Sequence, residues 1–142
     1  MTTLRSYFLE DLKVGMGESI SKTVTDQVIR EFAHVSGDVN PVHLDQAYAA
    51  TTRFKERIAH GMLGASLISA VIGTKLPGPG AVYLGQNLKF RAPVVIGDTI
   101  TARVEVAAID HEKGRVNLGT TCWVGDKLVI EGEALVLVPA RG

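Results

Sequence analysis

IAHGMLGASLISAVIGTKL, residues 58–76, is the most apolar stretch of the chain. Apolar residues occupy nearly every direction around a helix of this sequence, and such a helix must be surrounded by protein. The stretch has a marginal length for a membrane span. Its polar and small residues, among them His60, Gly61 and Ser69, are poorly suited to a lipid environment. The pattern therefore predicts a buried central helix, ended by the loop sequence PGPG at residues 77–80.

The part of the chain that follows Ala81 has the alternation of apolar and polar residues that is typical of strands. Four strands are predicted, at residues 83–91, 100–108, 116–124 and 128–138. Because short turns join successive strands, we expect an antiparallel meander. Nothing else in the chain can cover the central helix, so the sheet is expected to wrap around it.

The first part of the chain is predicted to be mainly helical. Residues 1–24 show only a weak strand and turn pattern. Thr25 then has the position of a helix N-cap, and Gly37 has the position where a helix ends. The spacing between them gives one apolar face, formed by Val28, Phe32 and Val35. Helices followed by a sheet indicate the α+β class.

The end of this first helix leaves Asp38 in a loop. Asn40-Pro41 reinforces the loop, because a residue before proline avoids the helical region. His43 comes five residues after Asp38, where a second short helix through Ala50 is expected to begin.

Length and composition favour one domain over residues 1–142. Lys and Arg number 15, as do Asp and Glu, and no basic stripe is present, so neither nucleic acid nor a membrane surface is expected as a partner. The single cysteine, Cys122, cannot form an intrachain disulfide and is predicted to be a small buried residue. The N-terminus lacks the uninterrupted apolar run of a secretory signal, so a cytoplasmic protein is expected.

FAHVSGDVNPVH, residues 32–43, gathers a carboxylate, an imidazole and a carboxamide within its last six positions. A histidine with a pKa of about 6.5 can give or take a proton at neutral pH, and a neighbouring carboxylate can share one water molecule with it. Such a pair suits the two proton transfers that add water across a double bond. Spacing alone leaves open the commoner explanation for Asp38 and His43, a solvated turn.

This segment resembles the signature of the MaoC-like, R-specific enoyl-CoA hydratases, whose centre is Gly-Asp-x-Asn-Pro-aliphatic-His. Every constrained position of the signature is filled, by Phe32, Val35, Ser36, Gly37, Asp38, Asn40, Pro41, Val42, His43 and Ala49. The likeness continues in HGM at residues 60–62 and in YLGQ at residues 83–86, and it covers roughly residues 14–139. The chain is similar to the short single-domain members that supply polyhydroxyalkanoate synthesis.

The resemblance implies a single hot-dog domain with Asp38 and His43 as its catalytic pair. The two side chains would hold one water molecule for syn addition across the C2–C3 bond of a trans-2-enoyl-CoA. The matching glycine, Gly61, would offer its backbone N–H to the thioester oxygen as negative charge develops there. A helix N-terminus and a missing side chain both suit that role, although tight packing also explains a glycine.

Five other side chains have less specific expectations. Asn40 either orients the loop or touches substrate, and Asn-Pro is also ordinary turn chemistry. Ser69 either bonds Asp38 or satisfies a carbonyl of its own helix. His60 is expected to order the start of the central helix rather than to react. Lys89 and Arg91 are candidates for the CoA phosphates, or are simply solvated strand residues.

No metal is expected, because no histidines and carboxylates recur at metal-ligand spacing. No cofactor is expected either, since CoA enters as part of the substrate and no nucleotide-binding motif occurs. Relatives of this fold pair, so the resemblance implies a homodimer or a dimer of dimers. Three alternative functions remain: hydration of another acyl thioester on a carrier protein or a branched or dicarboxylic acyl-CoA, a hot-dog thioesterase, and a non-catalytic acyl-binding domain.

Overall fold

A computed structural model describes residues 4–142 as a five-stranded antiparallel sheet packed against helices. A short 3-10 helix, Leu9–Asp11, precedes the first strand. The helices are α1 (Asp26–Ser36), α2 (Pro41–Leu44), α3 (Gln46–Ala49) and α4 (Gly61–Thr74). The strands are β1 (Gly17–Thr23), β2 (Val82–Phe90), β3 (Thr99–Asp110), β4 (Arg115–Val124) and β5 (Lys127–Leu137). The α+β class and all four strands predicted after Ala81 are confirmed.

The strands lie in the order β1-β3-β4-β5-β2, and every neighbouring pair is antiparallel. The predicted meander is therefore right for β3, β4 and β5 but wrong for β2, which pairs with β5 at the far edge of the sheet. The reason is the connection between β2 and β3. Residues 91–98 include a turn at residues 95–98, but the segment does not fold β3 back onto β2 and instead carries the chain to a position beside β1.

Helix α4 packs one face against the sheet, with contacts to β1, β3 and β4. That face is buried and consists of Leu63, Gly64, Leu67, Ile68, Val71 and Ile72. A long helix in the curve of an antiparallel sheet is the hot-dog fold that the resemblance implied. The expected burial on all sides is wrong for the single chain, because one sheet covers one side only. The opposite face stays exposed at Gly61, Met62, Ser66, Ser69 and Gly73.

Helix α1 begins and ends where its capping residues predicted. The Thr25 hydroxyl accepts a 3.1 Å hydrogen bond from the Val28 N–H. Gly37 ends the helix with φ 77°, in the left-handed region that glycine adopts without strain. The predicted apolar face is wrong at Val35, which is 80% exposed, whereas Ile29 and Ala33 carry the buried contacts.

Cys122 lies in the core on β4, as predicted, and burial raises the pKa of its thiol to about 12. Among the described residues, no helix is long and apolar enough to cross a membrane. Helix α4 lies within the predicted stretch 58–76, and its buried residues are part of the protein core.

Candidate active site

The loop between α1 and α2 presents Asp38. Its shape depends on local hydrogen bonds, since the Ser36 hydroxyl accepts from the Asp38 N–H at 3.1 Å and the Asp38 Oδ1 accepts from the Asn40 N–H at 3.2 Å. The carboxylate of Asp38 is exposed. One of its oxygens is therefore available for a water molecule or a substrate.

Asn40 caps the short helix that follows the loop. Its Oδ1 accepts a 3.1 Å hydrogen bond from the Val42 N–H, and Pro41 occupies the first helical position. Proline is well suited to that position, because its fixed φ matches the helix and its missing N–H would have no partner there. This cap helps to orient the loop, and contact of Asn40 with substrate stays a prediction.

His43 lies in the last turn of α2, and only 8% of it is exposed. Its Nδ1 lies 2.7 Å from the Ile58 carbonyl, so Nδ1 carries the proton and donates it. The other ring nitrogen, Nε2, is left with a free lone pair. Burial lowers the pKa of His43, with a smaller effect of His60 in the same direction, while the Ile58 carbonyl and the Asp38 carboxylate oppose it. The arrangement favours a neutral imidazole that can accept a proton.

Arg57 fixes the backbone of His43 from the other side. Its Nε donates a 2.7 Å hydrogen bond to the His43 carbonyl, and another guanidinium nitrogen lies 2.7 Å from the Asp26 carboxylate. The Arg57 guanidinium is the first cause of a lowered pKa at Asp26, followed by Arg30. Arg57 thus connects α2 to the first turn of α1.

Asp38, His43 and His60 come together in the fold. One side-chain ligand atom of each lies within 4.8 Å of those of the other two. The sequence expectation did not foresee this set, because His60 follows Asp38 by 22 residues. The two imidazole rings are stacked, with centroids 3.8 Å apart and planes at 26°. Nearly parallel rings direct their in-plane lone pairs side by side rather than toward one point, so the geometry suits stacking better than ligation.

Gly61 begins α4, so its N–H is among those that have no acceptor within the helix. It lines a cavity of about 400 Å³ that runs between α4 and the sheet. A Cβ atom at Gly61 would lie 2.7 Å from a ring carbon of Phe90, which shows that glycine keeps this approach open. Other lining residues are His60, Gly64, Arg53, Arg91, Ile100 and Ile130.

Neither contact expected of Ser69 is formed. In the chain from residue 4 onward, its hydroxyl bonds neither Asp38 nor a helix carbonyl; it lies on the exposed face of α4, roughly 12 Å along the helix from Gly61 at the usual 1.5 Å rise. Arg91 lines the cavity and pairs with Glu131 at 2.8 Å. Lys89 is exposed on β2. The phosphate-binding roles of both cations stay predictions.

Sequence reasoning missed the contacts of His60 and Arg57. His60 was expected to order the start of α4, but its side chain makes no capping hydrogen bond. Its Nε2 lies instead 2.9 Å from the Asp38 carbonyl. The sequence feature that could have indicated the position of His60 is Phe32, the aromatic residue at the start of the motif. The centroid of its ring lies 5.0 Å from that of His60.

Known proteins are similar to this chain in sequence and in fold. The MaoC like domain family matches residues 11–124. An (R)-specific enoyl-CoA hydratase from Rhodospirillum rubrum is 57% identical over 136 residues, which cover 96% of this chain and 94% of that protein. A 3-hydroxybutyryl-CoA dehydratase from Methylorubrum extorquens is 52% identical, with 97% and 88% covered. The solved structure of the (R)-hydratase from Aeromonas caviae involved in PHA biosynthesis has a TM-score of 0.88 at 46% identity, with 92% of this chain and 99% of that chain covered. A family match over most of the chain, together with full-length relatives of this similarity, means that the chain belongs to the MaoC-like domain family.

Proposed function

We propose that this protein is an (R)-specific enoyl-CoA hydratase. It adds water to the C2–C3 double bond of a trans-2-enoyl-CoA and yields the (3R)-3-hydroxyacyl-CoA. The observation that carries the proposal is the pairing of an available Asp38 carboxylate with the free Nε2 of a buried His43. Similarity to relatives named for this activity and for its reverse, the dehydration of 3-hydroxybutyryl-CoA, supports the substrate class.

The pair supplies both proton transfers. A water molecule between the Asp38 carboxylate and the His43 Nε2 loses one proton as its oxygen forms the bond to C3. C2 receives a proton on the same face, so that H and OH are added and nothing else is consumed. One side-chain ligand atom of each group lies within 4.8 Å of the other, close enough to share one water molecule, so the transfers are assigned to the pair rather than to either residue alone.

Gly61 is proposed to stabilise the charge that this attack creates. As the C3–O bond forms, electrons move onto the thioester oxygen. The N–H of Gly61 at the start of α4 is a fixed donor at an electropositive helix end, which favours that charge. The cavity beside Gly61 has room for the acyl group or the adjoining part of CoA. This chemistry requires no cofactor other than the CoA that the substrate carries.

A homodimer, or a dimer of such dimers, is proposed as the working assembly. Strand β2 is an edge strand, and all of its residues except Leu88 are exposed. Large apolar side chains lie along it at Val82, Tyr83, Leu84 and Phe90. Exposed edges of this kind are commonly covered by pairing with another chain. A second copy on β2 would also cover the outward face of α4.

The direct test is hydration of crotonyl-CoA by the purified protein, followed at the enoyl-thioester absorbance, with chiral analysis of the product. We expect loss of absorbance, no release of free thiol, and the R alcohol. Asp38→Asn and His43→Ala should each abolish turnover. Matched controls are Asp45→Asn, which keeps an N-cap for α3, and His34→Ala at an exposed position.

The other outcomes separate the alternative functions. Release of thiol would indicate a thioesterase. Turnover of a carrier-protein thioester or a branched acyl-CoA, without turnover of crotonyl-CoA, would keep the chemistry and change the substrate. Binding without turnover by a folded protein would indicate an acyl-binding domain. Full activity of Asp38→Asn would contradict the proposed mechanism. The cytoplasmic location expected from the N-terminal sequence stays a prediction.

A further inference from the structure

His60 is a buried side chain with contacts to both members of the proposed catalytic pair. It is 3% exposed, and it lies at the junction between the segment that precedes α4 and the helix itself. One side of its ring packs against Phe32, with centroids 5.0 Å apart and planes at 51°. It also stacks on His43 at 3.8 Å. The ring thus forms a continuous aromatic contact from α1 to α2.

The hydrogen bond of His60 determines which of its nitrogens carries the proton. Nε2 lies 2.9 Å from the Asp38 carbonyl, which can only accept, so Nε2 donates. Nδ1 is buried and has no partner among residues 4–142. A proton on Nδ1 instead would leave the carbonyl without its donor and create a buried donor without an acceptor, and each buried unpaired group destabilises a fold.

The hydrogen bond from His60 Nε2 to the Asp38 carbonyl joins the Asp38 loop to a distant part of the chain. The other hydrogen bonds of residues 37–40 stay within the segment from Ala33 to His43. The bond from His60 comes from 22 residues away. Two residues earlier, the Ile58 carbonyl accepts from the His43 Nδ1. One short segment, residues 58–60, therefore holds the Asp38 backbone and the His43 ring at the same time.

We propose that His60 is a positioning residue, which fixes the Asp38 carboxylate relative to the His43 imidazole through its hydrogen bond to the Asp38 carbonyl. The role rests on the proposed hydration, because it acts through the two groups that would hold the water. Reacting groups need placement to within a fraction of an ångström, and a displacement of about 1 Å can lower a rate about 10²-fold.

Three substitutions separate the hydrogen bond from the packing of the ring. His60→Gln places an amide N–H four bonds from Cα, at the reach of the histidine Nε2. His60→Asn carries the same amide one bond shorter, where it cannot meet the Asp38 carbonyl. His60→Phe keeps the ring and removes the donor. His34→Asn, at an exposed position of α1, is the matched control.

We expect His60→Phe and His60→Asn to lower kcat for crotonyl-CoA about 10²-fold, and His60→Gln to retain kcat within about fivefold of the unmodified protein. KM should change by less than about threefold in all three, because the affected interaction matters for the reacting geometry rather than for binding. The proposal is overturned by a His60→Phe variant with unchanged kcat, which would show that the ring only packs. A Gln variant no more active than the Asn variant would also overturn it.

A second measurement on the unmodified protein does not depend on folding of the variants or on turnover. Long-range ¹⁵N–¹H correlation of the histidine rings should show His60 as the Nε2–H tautomer, with a slowly exchanging proton. A proton on Nδ1, or a mixture of tautomers, would overturn the proposal even if the enzyme is active. Absence of hydration with the expected tautomer at His60 would instead remove the proposed function and the positioning role that rests on it.

Discussion

The His43 Nδ1 and the Ile58 carbonyl form a 2.7 Å hydrogen bond that leaves Nε2 as the free nitrogen of the ring, in a side chain with a ring nitrogen within 4.8 Å of an Asp38 carboxylate oxygen. The imidazole is also largely removed from water, which lowers its pKa below the usual value of about 6.5. Two structural facts thus favour the neutral, proton-accepting form at neutral pH.

The pH dependence of hydration follows from this environment. A lowered pKa means that protonation requires a more acidic solution, so kcat/KM should be at its plateau at neutral pH and fall on the acidic side with a midpoint below about pH 6.5. The same sign applies to folding: the stability contributed by the neutral ring is present above about pH 6.5 and is lost as the pH falls through the lowered pKa. A pH–rate profile with crotonyl-CoA measures the first effect. An acidic midpoint at or above the usual histidine value would contradict it.

Gly61→Pro tests whether the Gly61 N–H acts as a donor, because it removes this N–H at a helix position that accommodates proline. Proline is favoured at the first helical position, and His60 already has the extended ψ of 133° that a residue before proline adopts. The substitution removes the N–H, so we expect kcat to fall about 10²- to 10³-fold, as on loss of one oxyanion donor.

Gly61→Ala is the matched control for that substitution. It adds the same Cβ atom near the Phe90 ring, which is 53% exposed and able to move, and it keeps the N–H. Steady-state kinetics of both variants with crotonyl-CoA distinguish the two effects. If the Ala variant loses as much kcat as the Pro variant, the glycine serves packing and not the thioester oxygen.

Arg57→Ala should weaken the fold and the site together. Its guanidinium is only 12% exposed and donates to the His43 carbonyl at 2.7 Å. Loss of a hydrogen bond from a charged group is expected to lower the free energy of unfolding by about 1.5–3 kcal/mol, measured by urea denaturation. Arg30→Ala is the control, since Arg30 shares Asp26 but is 57% exposed, and exposed pairs contribute little. Equal destabilisation by the two variants would show that the Asp26 pair, and not the His43 contact, matters.

The parts of the site that local rules govern could be predicted from sequence. The Thr25 cap, the Gly37 end of α1 and the loop position of Asp38 each depend on residues within a few positions of one another. The role of His60 could not be predicted in the same way, because it depends on a contact across 22 residues and on a ring stack that no spacing reveals. The resemblance singled out HGM at residues 60–62 but named no contact for His60.

The burial of α4 and the place of β2 depend on the whole sheet. The helix sequence is apolar enough to be buried on every side, yet the five strands of one chain curve around one side only. Residues 91–98 contain turn signals that resemble those of a hairpin, although they carry the chain from the β2 edge of the sheet to β3, which lies between β1 and β4. Both errors concern tertiary arrangement, where local propensity has little influence.

Cys122 should be unreactive in the folded protein. Its thiol is buried, contacts the Gly64 carbonyl at 3.5 Å and has a pKa of about 12, so almost no thiolate is present at neutral pH. An aromatic disulfide reagent should therefore react with the thiol only after addition of denaturant, and the free-thiol assay should have no background from the protein. Rapid reaction in native buffer would mean that the sheet opens near β4.

The exposed edge of β2 predicts that the protein pairs with further copies of itself, which a measurement of its mass in solution can test. Light scattering should give twice the 15.2 kDa of the chain, or an even multiple of it. Leu84 is 46% exposed on this edge, and a lysine in its place should shift the protein toward the monomer, because edge lysines oppose strand pairing. Val14→Lys is the control, at a residue that is 67% exposed and lies outside β2. A monomeric mass for the unmodified protein would rule out the proposed dimer. A dimer that resists Leu84→Lys but loses mass with Val14→Lys would place the interface at the other end of the sheet.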